Sequence, residues 1–307
     1  MAEQPEAPKV AVLIPCFNEA VTVEKVIRDF RAELPDAEIH VFDNNSTDDT
    51  ARLAEEAGAI VTREIRQGKG FVIASMFAKV DADVYVMVDG DDTYPAASVH
   101  ELLAPVLAGD ADQVVGARKA VDPKKAYRPM HTLGNRLVTG LVNSVFGSKL
   151  GDVMSGYRAF TRELARTVPV LSAGFDVETE FTLQCLEKQF VLHEVPVEYL
   201  ERPEGSESKL NTYRDGFRVI KRLMTIMKDY RPFAFFGRLA VVAAILSLLA
   251  GLPPILDYVR EQYVHHVPLA VLAGILGLVS ILLLTVGVVL ATMTALAGAN
   301  CRAEVHG

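Results

Sequence analysis

Short apolar runs alternate with amphipathic stretches over the first 117 residues. Val10–Ile14, Ile39–Phe42, Ala59–Thr62, Val84–Val88 and Gln113–Gly116 are brief and mostly apolar, and they read as strands. Between them, the stretches near Thr22–Glu33, Thr47–Ala57, Gly70–Val80 and Ala97–Leu107 repeat apolar residues at helical spacing. Nearly continuous apolar strands separated by helices predict a mostly parallel sheet covered on both faces. Ligands of such sheets bind beyond the carboxyl ends of the strands, where Asp43 and Asp89 fall.

Beyond this region the pattern changes twice. Residues 119–129 (KAVDPKKAYRP) read as a basic, proline-punctuated linker. It leads to an amphipathic helix over Met130–Phe146, the segment GDVMSGYRAF, a helix near Glu178–Glu187, a strand over Leu192–Tyr199 and a polar loop over Arg202–Asn211. Past these, 18 uncharged residues lie between Arg238 and Asp257, and 33 run from Val267 to Ala299. About 20 apolar residues cross a bilayer, so these lengths predict two transmembrane helices and disfavour a buried hairpin of a soluble core.

The expected organisation is a catalytic domain over 1–211, a juxtamembrane amphipathic helix over 212–231 and a first span over 232–256. A loop over 257–266, a second span over 267–299 and a tail over 300–307 follow. Eight basic residues lie in 203–238, whereas the 257–266 loop has Arg260 alone. The positive-inside rule then predicts an inner- or plasma-membrane protein with its catalytic domain and tail in the cytoplasm and the loop outside. Tyr213–Lys228 places Phe217, Ile220, Leu223, Met224 and Met227 at helical spacing. Such a helix suits the membrane interface or packing on the domain core, and the two are not exclusive.

Composition narrows the partners. With 31 basic and 39 acidic residues the net charge is −8, so no global basic field points to nucleic acid. Cys16, Cys185 and Cys301 are scattered and odd in number, forming neither a disulfide framework nor a metal-ligand spacing. The polar N-terminus shows no export signal. A homo-oligomer is compatible with this pattern, which sets no stoichiometry.

The strand ends carry the candidate chemistry. The first strand runs into Pro15-Cys16-Phe17-Asn18-Glu19, and the second ends in Asp43-Asn44-Asn45-Ser46-Thr47-Asp48. Ser46 or Thr47 suits a helix cap, leaving Asp43 for a ligand. Gln67-Gly68-Lys69-Gly70 opens a helix, where glycines let the backbone approach and the helix N-terminus attracts phosphate. It is neither a dinucleotide fingerprint nor a Walker loop, since Ile73 stands where a third glycine belongs.

The strongest string is Asp89-Gly90-Asp91-Asp92-Thr93 after an apolar strand. Clustered carboxylates are costly to bury unless a cation neutralises them. One or two carboxylates with substrate phosphates fit Mg2+ or Mn2+. An EF-hand loop fails, because Tyr94 and His100 occupy its sixth and twelfth positions. A haloacid-dehalogenase-type phosphatase, with Asp89 as nucleophile, satisfies the same string.

Taken in order and spacing, Pro15-x-x-Asn18-Glu19, Asp43-Asn-Asn-Ser-Thr-Asp, Gly68-Lys69-Gly70, Asp89-x-Asp91 and Gly116-Ala117-Arg118 resemble the family 2 inverting glycosyltransferases. More narrowly, they look like the dolichol- or polyprenyl-phosphate glycosyl synthases. Arg128-x-x-x-Thr132, Asp152-Val-Met-Ser155-Gly156-Tyr157-Arg158 and Arg202-Pro-Glu-Gly205-Ser-Glu-Ser208-Lys209 match that subgroup's acceptor region.

The resemblance implies a GT-A α/β fold and transfer of a sugar from a nucleotide donor to a polyprenyl or dolichyl monophosphate. It places Pro15, Phe17, Asn18, Glu19 and Asp43 around the nucleoside, with Gly68, Lys69 and Gly90 also on the donor. Asp89 and Asp91 would hold Mg2+ or Mn2+ and serve catalysis. Arg118, Arg128, Thr132, Arg202 and Lys209 would grip the acceptor phosphate. Asp152 would orient the acceptor pocket, unless it pairs with Arg158 or caps a turn.

The chain departs from the subgroup in three places. Thr132 replaces the usual serine, Asp92-Thr93 replaces Leu-Gln or Leu-Ser, and the Gly205–Lys209 stretch is one residue longer. The second departure favours a UDP-hexose or UDP-N-acetylhexosamine over GDP-mannose. Trp is absent, so the Q-x-x-R-W motif of processive synthases cannot exist and a polymerising enzyme is excluded. The competing classes are a membrane lipid-phosphate phosphatase and a non-catalytic membrane subunit with a transferase-like domain.

Overall fold

The computed structural model describes residues 7–120, 129–170, 174, 177–203, 224–225, 227–228 and 231–305. The chain divides into two compact units, Met1–Gly216 and Phe217–Gly307.

The first unit is built on one seven-stranded sheet. Its strands are β1 (Val10–Cys16), β2 (Glu38–Asp43), β3 (Ile60–Arg63), β4 (Val84–Met87), β5 (Gln113–Ala120), β6 (Arg158–Thr161) and β7 (Leu192–Tyr199), in the order β3-β2-β1-β4-β6-β5-β7. Neighbours pair in parallel, except that β6 runs antiparallel to both β4 and β5. Successive side chains of a strand face opposite sides. Accordingly Val12 and Ile14 join one core cluster while Ala11 and Leu13 join the other.

Helices cover both faces. α1 (Val23–Glu33) buries Val23, Val26, Ile27 and Phe30, the i, i+3, i+4, i+7 stripe of an amphipathic helix. With α4 (Val99–Leu107) it closes the first cluster, and α3 (Lys69–Lys79) and α7 (Val177–Glu187) close the second. α2 (Thr50–Glu56), α5 (Pro129–Phe146) and α6 (Arg162–Thr167) complete the unit. Each fully buried aliphatic or aromatic side chain contributes about 1.5–3 kcal/mol, so these clusters dominate stability.

The sheet differs from the expected pattern at its far edge. β5 continues through Lys119 and Ala120, which pair with Glu198 and Tyr199 of β7, so the expected linker loses its first two residues to the sheet. Residues 121–128 lie outside the described residues, and α5 begins at Pro129. β6 and α6 lie outside the expected elements: GDVMSGYRAF has no period of either kind, and α6 is only six residues long.

The second unit is a pair of long helices, α8 (Pro232–Glu261) and α9 (Val267–Val305). Both are long and apolar enough to cross a membrane. Pro232 opens α8, where a missing N–H costs nothing. α8 runs past the expected boundary at 256 to Glu261, where Gln262 caps it in the left-handed region with φ 56°. Between the helices, the Ser247 hydroxyl donates to the Ala273 carbonyl at 2.7 Å and that of Ser280 to the Ala240 carbonyl at 2.8 Å. Asp257 ties the connecting turn by accepting from the backbone N–H groups of His265 and His266, both at 3.1 Å. The expected juxtamembrane helix falls almost wholly outside the described residues.

Candidate active site

The carboxyl ends of β1 and β2 are stitched together. The Asn44 N–H donates to the Cys16 carbonyl at 2.8 Å, that of Asn18 to Ser46 Oγ at 2.9 Å, and that of Glu19 to Thr50 Oγ1 at 2.8 Å. Asn18 Oδ1 accepts from the Thr47 N–H at 2.8 Å. Asn18 and Asn45 sit at positive φ, 53° and 63°, which asparagine tolerates better than most residues. Pro15, Phe17 and Asn18 are half-buried here and Glu19 is buried. The Asp43 carboxylate accepts from the Ser46 N–H at 3.2 Å, and the cap expected at Ser46 or Thr47 is corrected, because α2 starts at Thr50 with Asp49 at its N-cap.

Asn44 shapes the next segment of this edge. Its Nδ2 donates to the carbonyls of Glu64 (3.2 Å) and Arg66 (2.8 Å), and its Oδ1 accepts from the Gly68 N–H at 2.8 Å. The Arg66 guanidinium and N–H pull the Glu64 carboxyl down to about 2. Gly68 has φ 140°, open only to glycine, and releases the chain into α3.

Lys69, the first residue of α3, meets two carboxylates. Its Nζ lies 2.5 Å from Asp89 Oδ1 and also bonds Glu178 of α7. Burial alone would lower the Lys69 pKa, but Asp89 and Glu178 outweigh it and hold the ammonium charged.

Two residues past β4 the carboxylate pair begins. Asp89 packs against Gly156, where a Cβ would stand 2.3 Å from Asp89 Oδ2. Gly90 is equally constrained, since a Cβ there would meet Cys16 Sγ at 2.6 Å. The Thr22 hydroxyl fixes the Gly90 carbonyl at 2.6 Å. Asp91 is only 4% exposed. Its Oδ1 accepts from the Thr93 hydroxyl at 2.6 Å and its Oδ2 lies 2.5 Å from Arg202. Burial and neighbouring Asp89 raise the Asp91 pKa, and Arg202 opposes them. Asp92, at φ 56°, turns to Lys25 at 2.7 Å.

Among the described residues no three His, Cys, Asp or Glu side chains converge as a metal cage. The charges nonetheless fit a cation. Among the described residues, Asp89, Asp91 and Glu178 contribute three negative charges against the two positive charges of Lys69 and Arg202. A diphosphate brought beside a group already net negative needs a further cation, and two carboxylates plus phosphate oxygens suit Mg2+ or Mn2+.

Arg118, near the end of β5, forms the second charged centre. Its Nε and NH2 grip Asp152 Oδ2 and Oδ1 at 2.6 and 2.9 Å, a two-pronged pair. Asn135 Nδ2 and the Met154 N–H, each at 3.0 Å, complete the Asp152 shell. Burial would raise the Asp152 pKa, but Arg118 outweighs it and holds the carboxyl below its ordinary value. The ring of Tyr199 lies 5.5 Å from the Arg118 guanidinium carbon.

This geometry bears on two readings, and the Met154 N–H bond to Asp152 Oδ1 is the turn cap that one of them allowed. Asp152 pairs with Arg118 and not with Arg158, which is fully buried and bonded to the Ser155 and Val153 carbonyls and Thr182 Oγ1. Arg202, expected at the acceptor, contacts Asp91. Arg128 and Lys209 lie outside the described residues, as does the side chain of Thr132. Sequence reasoning gave no role to Asn44 or Glu178. Asn44 stood inside a flagged string, whereas Glu178 carried no local signal.

A mostly parallel sheet with one reversed strand and a carboxylate pair at the end of its central strand defines a GT-A-like nucleotide-sugar transferase fold. The glycosyl transferase family 2 model matches residues 11–168, and the chain belongs to that family. It is 34% identical over 281 residues to glycosyltransferase AglJ of Haloferax volcanii, covering 91% of this chain and 92% of AglJ. It is 27% identical over 222 residues to an undecaprenyl-phosphate mannosyltransferase of Micrococcus luteus, covering 66% of this chain and 88% of the relative. The fold also matches glucosyl-3-phosphoglycerate synthase of Mycobacterium tuberculosis in complex with Mn2+ and UDP-glucose. There the TM-score is 0.59 at 22% identity, over 72% of this chain and 78% of that one. Family membership decides between the readings of Asp89-Gly-Asp-Asp-Thr: the string is a transferase edge, and the phosphatase reading falls.

Proposed function

We propose that the protein transfers a hexose or N-acetylhexosamine from a UDP-sugar to a polyprenyl or dolichyl monophosphate, with inversion at the anomeric carbon. The observation that carries this reading is the pair Asp89–Asp91, walled by two glycines at the end of β4, with Asp91 buried. Asp89 and Asp91 are the residues that would hold Mg2+ or Mn2+. Such an ion supplies charge stabilisation to the departing diphosphate. The mycobacterial synthase holds Mn2+ with UDP-glucose on the same fold, which supports the choice.

The chain's own groups do the rest. Pro15, Phe17, Asn18, Glu19 and Asp43 line the nucleoside side, and Gly68 and Gly90 admit the diphosphate closely. Arg118, oriented by Asp152, presents a fixed cation to the acceptor phosphate, joined by Arg128, Thr132 and Lys209. A phosphate monoester has a second pKa of about 6, so it attacks as a dianion and needs no strong base. Catalysis then rests on positioning and charge neutralisation. The Micrococcus relative, named for undecaprenyl phosphate, and the two long apolar helices both support a lipid acceptor. The two spans would anchor the enzyme with its catalytic unit on the cytoplasmic side.

The test is transfer from radiolabelled UDP-glucose, UDP-N-acetylglucosamine and GDP-mannose to polyprenyl monophosphate by the full chain in detergent. The reading expects label in the lipid fraction from a UDP-sugar. Label from GDP-mannose alone would overturn the donor assignment, and none from any donor would overturn the function.

A further inference from the structure

Asp91 has both carboxylate oxygens engaged by the protein. Oδ1 is clamped by Thr93, through its hydroxyl at 2.6 Å and its backbone N–H at 3.3 Å, and Oδ2 by the Arg202 guanidinium at 2.5 Å. Thr93 is neutral, so Arg202 is the group that balances this buried charge, as Lys69 balances Asp89. The two cations differ in exposure. Lys69 is bound between Asp89 and Glu178 with its side chain 12% exposed, whereas the Arg202 side chain is 30% exposed.

We propose that Arg202 is a displaceable counter-ion, resting on Asp91 Oδ2 until the donor's divalent cation takes that oxygen and thereby freed to bind a phosphate. The proposal rests on the reading of Asp89 and Asp91 as metal carboxylates. Its basis is simple electrostatics. A divalent cation held by Asp91 would set two positive charges beside a guanidinium on the same carboxylate, and the two would repel. Repulsion between the two cations would weaken the Arg202 contact with Oδ2 as the ion arrives. A guanidinium that loses a carboxylate is matched by phosphate, which offers the same two-pronged acceptor geometry.

The consequence is thermodynamic coupling. A cation that releases Arg202 strengthens lipid-phosphate binding, and by linkage a lipid phosphate that captures Arg202 strengthens cation binding by the same factor. Arg202 is thus a positioning residue shared by both half-sites, which reconciles its contact with Asp91 and its place in the acceptor motif.

The test uses the full chain in detergent and reads binding directly. Mn2+ is titrated alone by calorimetry into the unmodified protein and into Arg202→Gln, Arg202→Lys and Lys25→Gln. Arg202→Gln should bind Mn2+ about tenfold more tightly, because the competitor is gone. Arg202→Lys should stay near the unmodified protein. Lys25→Gln, which removes a nearby charge that does not touch Asp91, should change little. In parallel, farnesyl phosphate should bind the unmodified protein about tenfold more tightly with Mn2+ than without, and Arg202→Gln with no Mn2+ dependence. Equal Mn2+ affinity in Arg202→Gln and the unmodified protein would overturn the proposal, as would tightening of the same size in Lys25→Gln. Mn2+ binding to none of the proteins would instead overturn the metal reading beneath it.

Discussion

Leu13 and Ile14 on β1 are wholly buried, while Leu248 on α8 and Leu278 on α9 are 75% and 64% exposed. The same kind of side chain meets opposite fates in the two units. In the sheet unit, apolar residues follow a period of two along strands and a single stripe on helices, so each finds an inner face. Along α8 and α9 they surround the helix, and none of the most apolar stretch of Val267–Met293 is buried. The polar atoms differ in parallel. At the sheet edge they are held by specific partners far away in sequence, as Asp152 is by Arg118. In the helices, Ser247 and Ser280 bond carbonyls of the facing helix and leave little polar surface. One unit gathers charge at an edge, and the other presents two helices long and apolar enough to cross a membrane.

The sharpest way to break this contrast is at the charged edge. Asp91→Asn should lower sugar transfer at least about a thousandfold, since it removes a carboxylate from the cation while leaving the fold in place. Transfer rate and thermal midpoint together check this. Retained activity would show that the edge does not act through Asp91.

Next in size is the Arg118–Asp152 pair. Arg118→Ala leaves a buried carboxylate without its cation and should destabilise the chain by about 3–5 kcal/mol in chemical denaturation. The pair also predicts a pH response. Asp152 has a depressed folded pKa, so its contribution is fully present above the unfolded value of about 3.9 and is lost as pH falls through the folded value. Asp152→Asn should flatten that acid limb of the stability curve.

The helical unit answers to different substitutions. Leu278→Arg puts a charge on an apolar surface and should oppose membrane insertion by about 2.5–3.5 kcal/mol, read as protein lost from the carbonate-washed membrane fraction. Unchanged partitioning would contradict a lipid-facing α9. Smallest is Ser280→Ala, which removes one interhelical bond and should cost about 0.6 kcal/mol in detergent unfolding.

How much of this could be read in the sequence follows from the same contrast. Period and length are local, so the parallel strands, their helices and both apolar spans were legible, as were the strand-end strings. β6 was not, because Arg158-Ala-Phe-Thr161 is four residues long and opens with an arginine that no pattern places inside a core. Glu178 looks like a solvent residue at a helix start, and only the fold brings it to Lys69. Asp152 and Arg118 are 34 residues apart, and nothing in either segment selects the other over Arg158. Arg202 was read from its motif as an acceptor group, and its contact with Asp91 exists only in three dimensions.

The claim on which the rest depends is that the Asp89–Asp91 edge works through a divalent cation. The measurement is the rate of sugar transfer to polyprenyl monophosphate in excess EDTA, followed by readdition of Mn2+ or Mg2+. Transfer should vanish with the chelator and return with the metal. Full activity in excess EDTA would contradict the account.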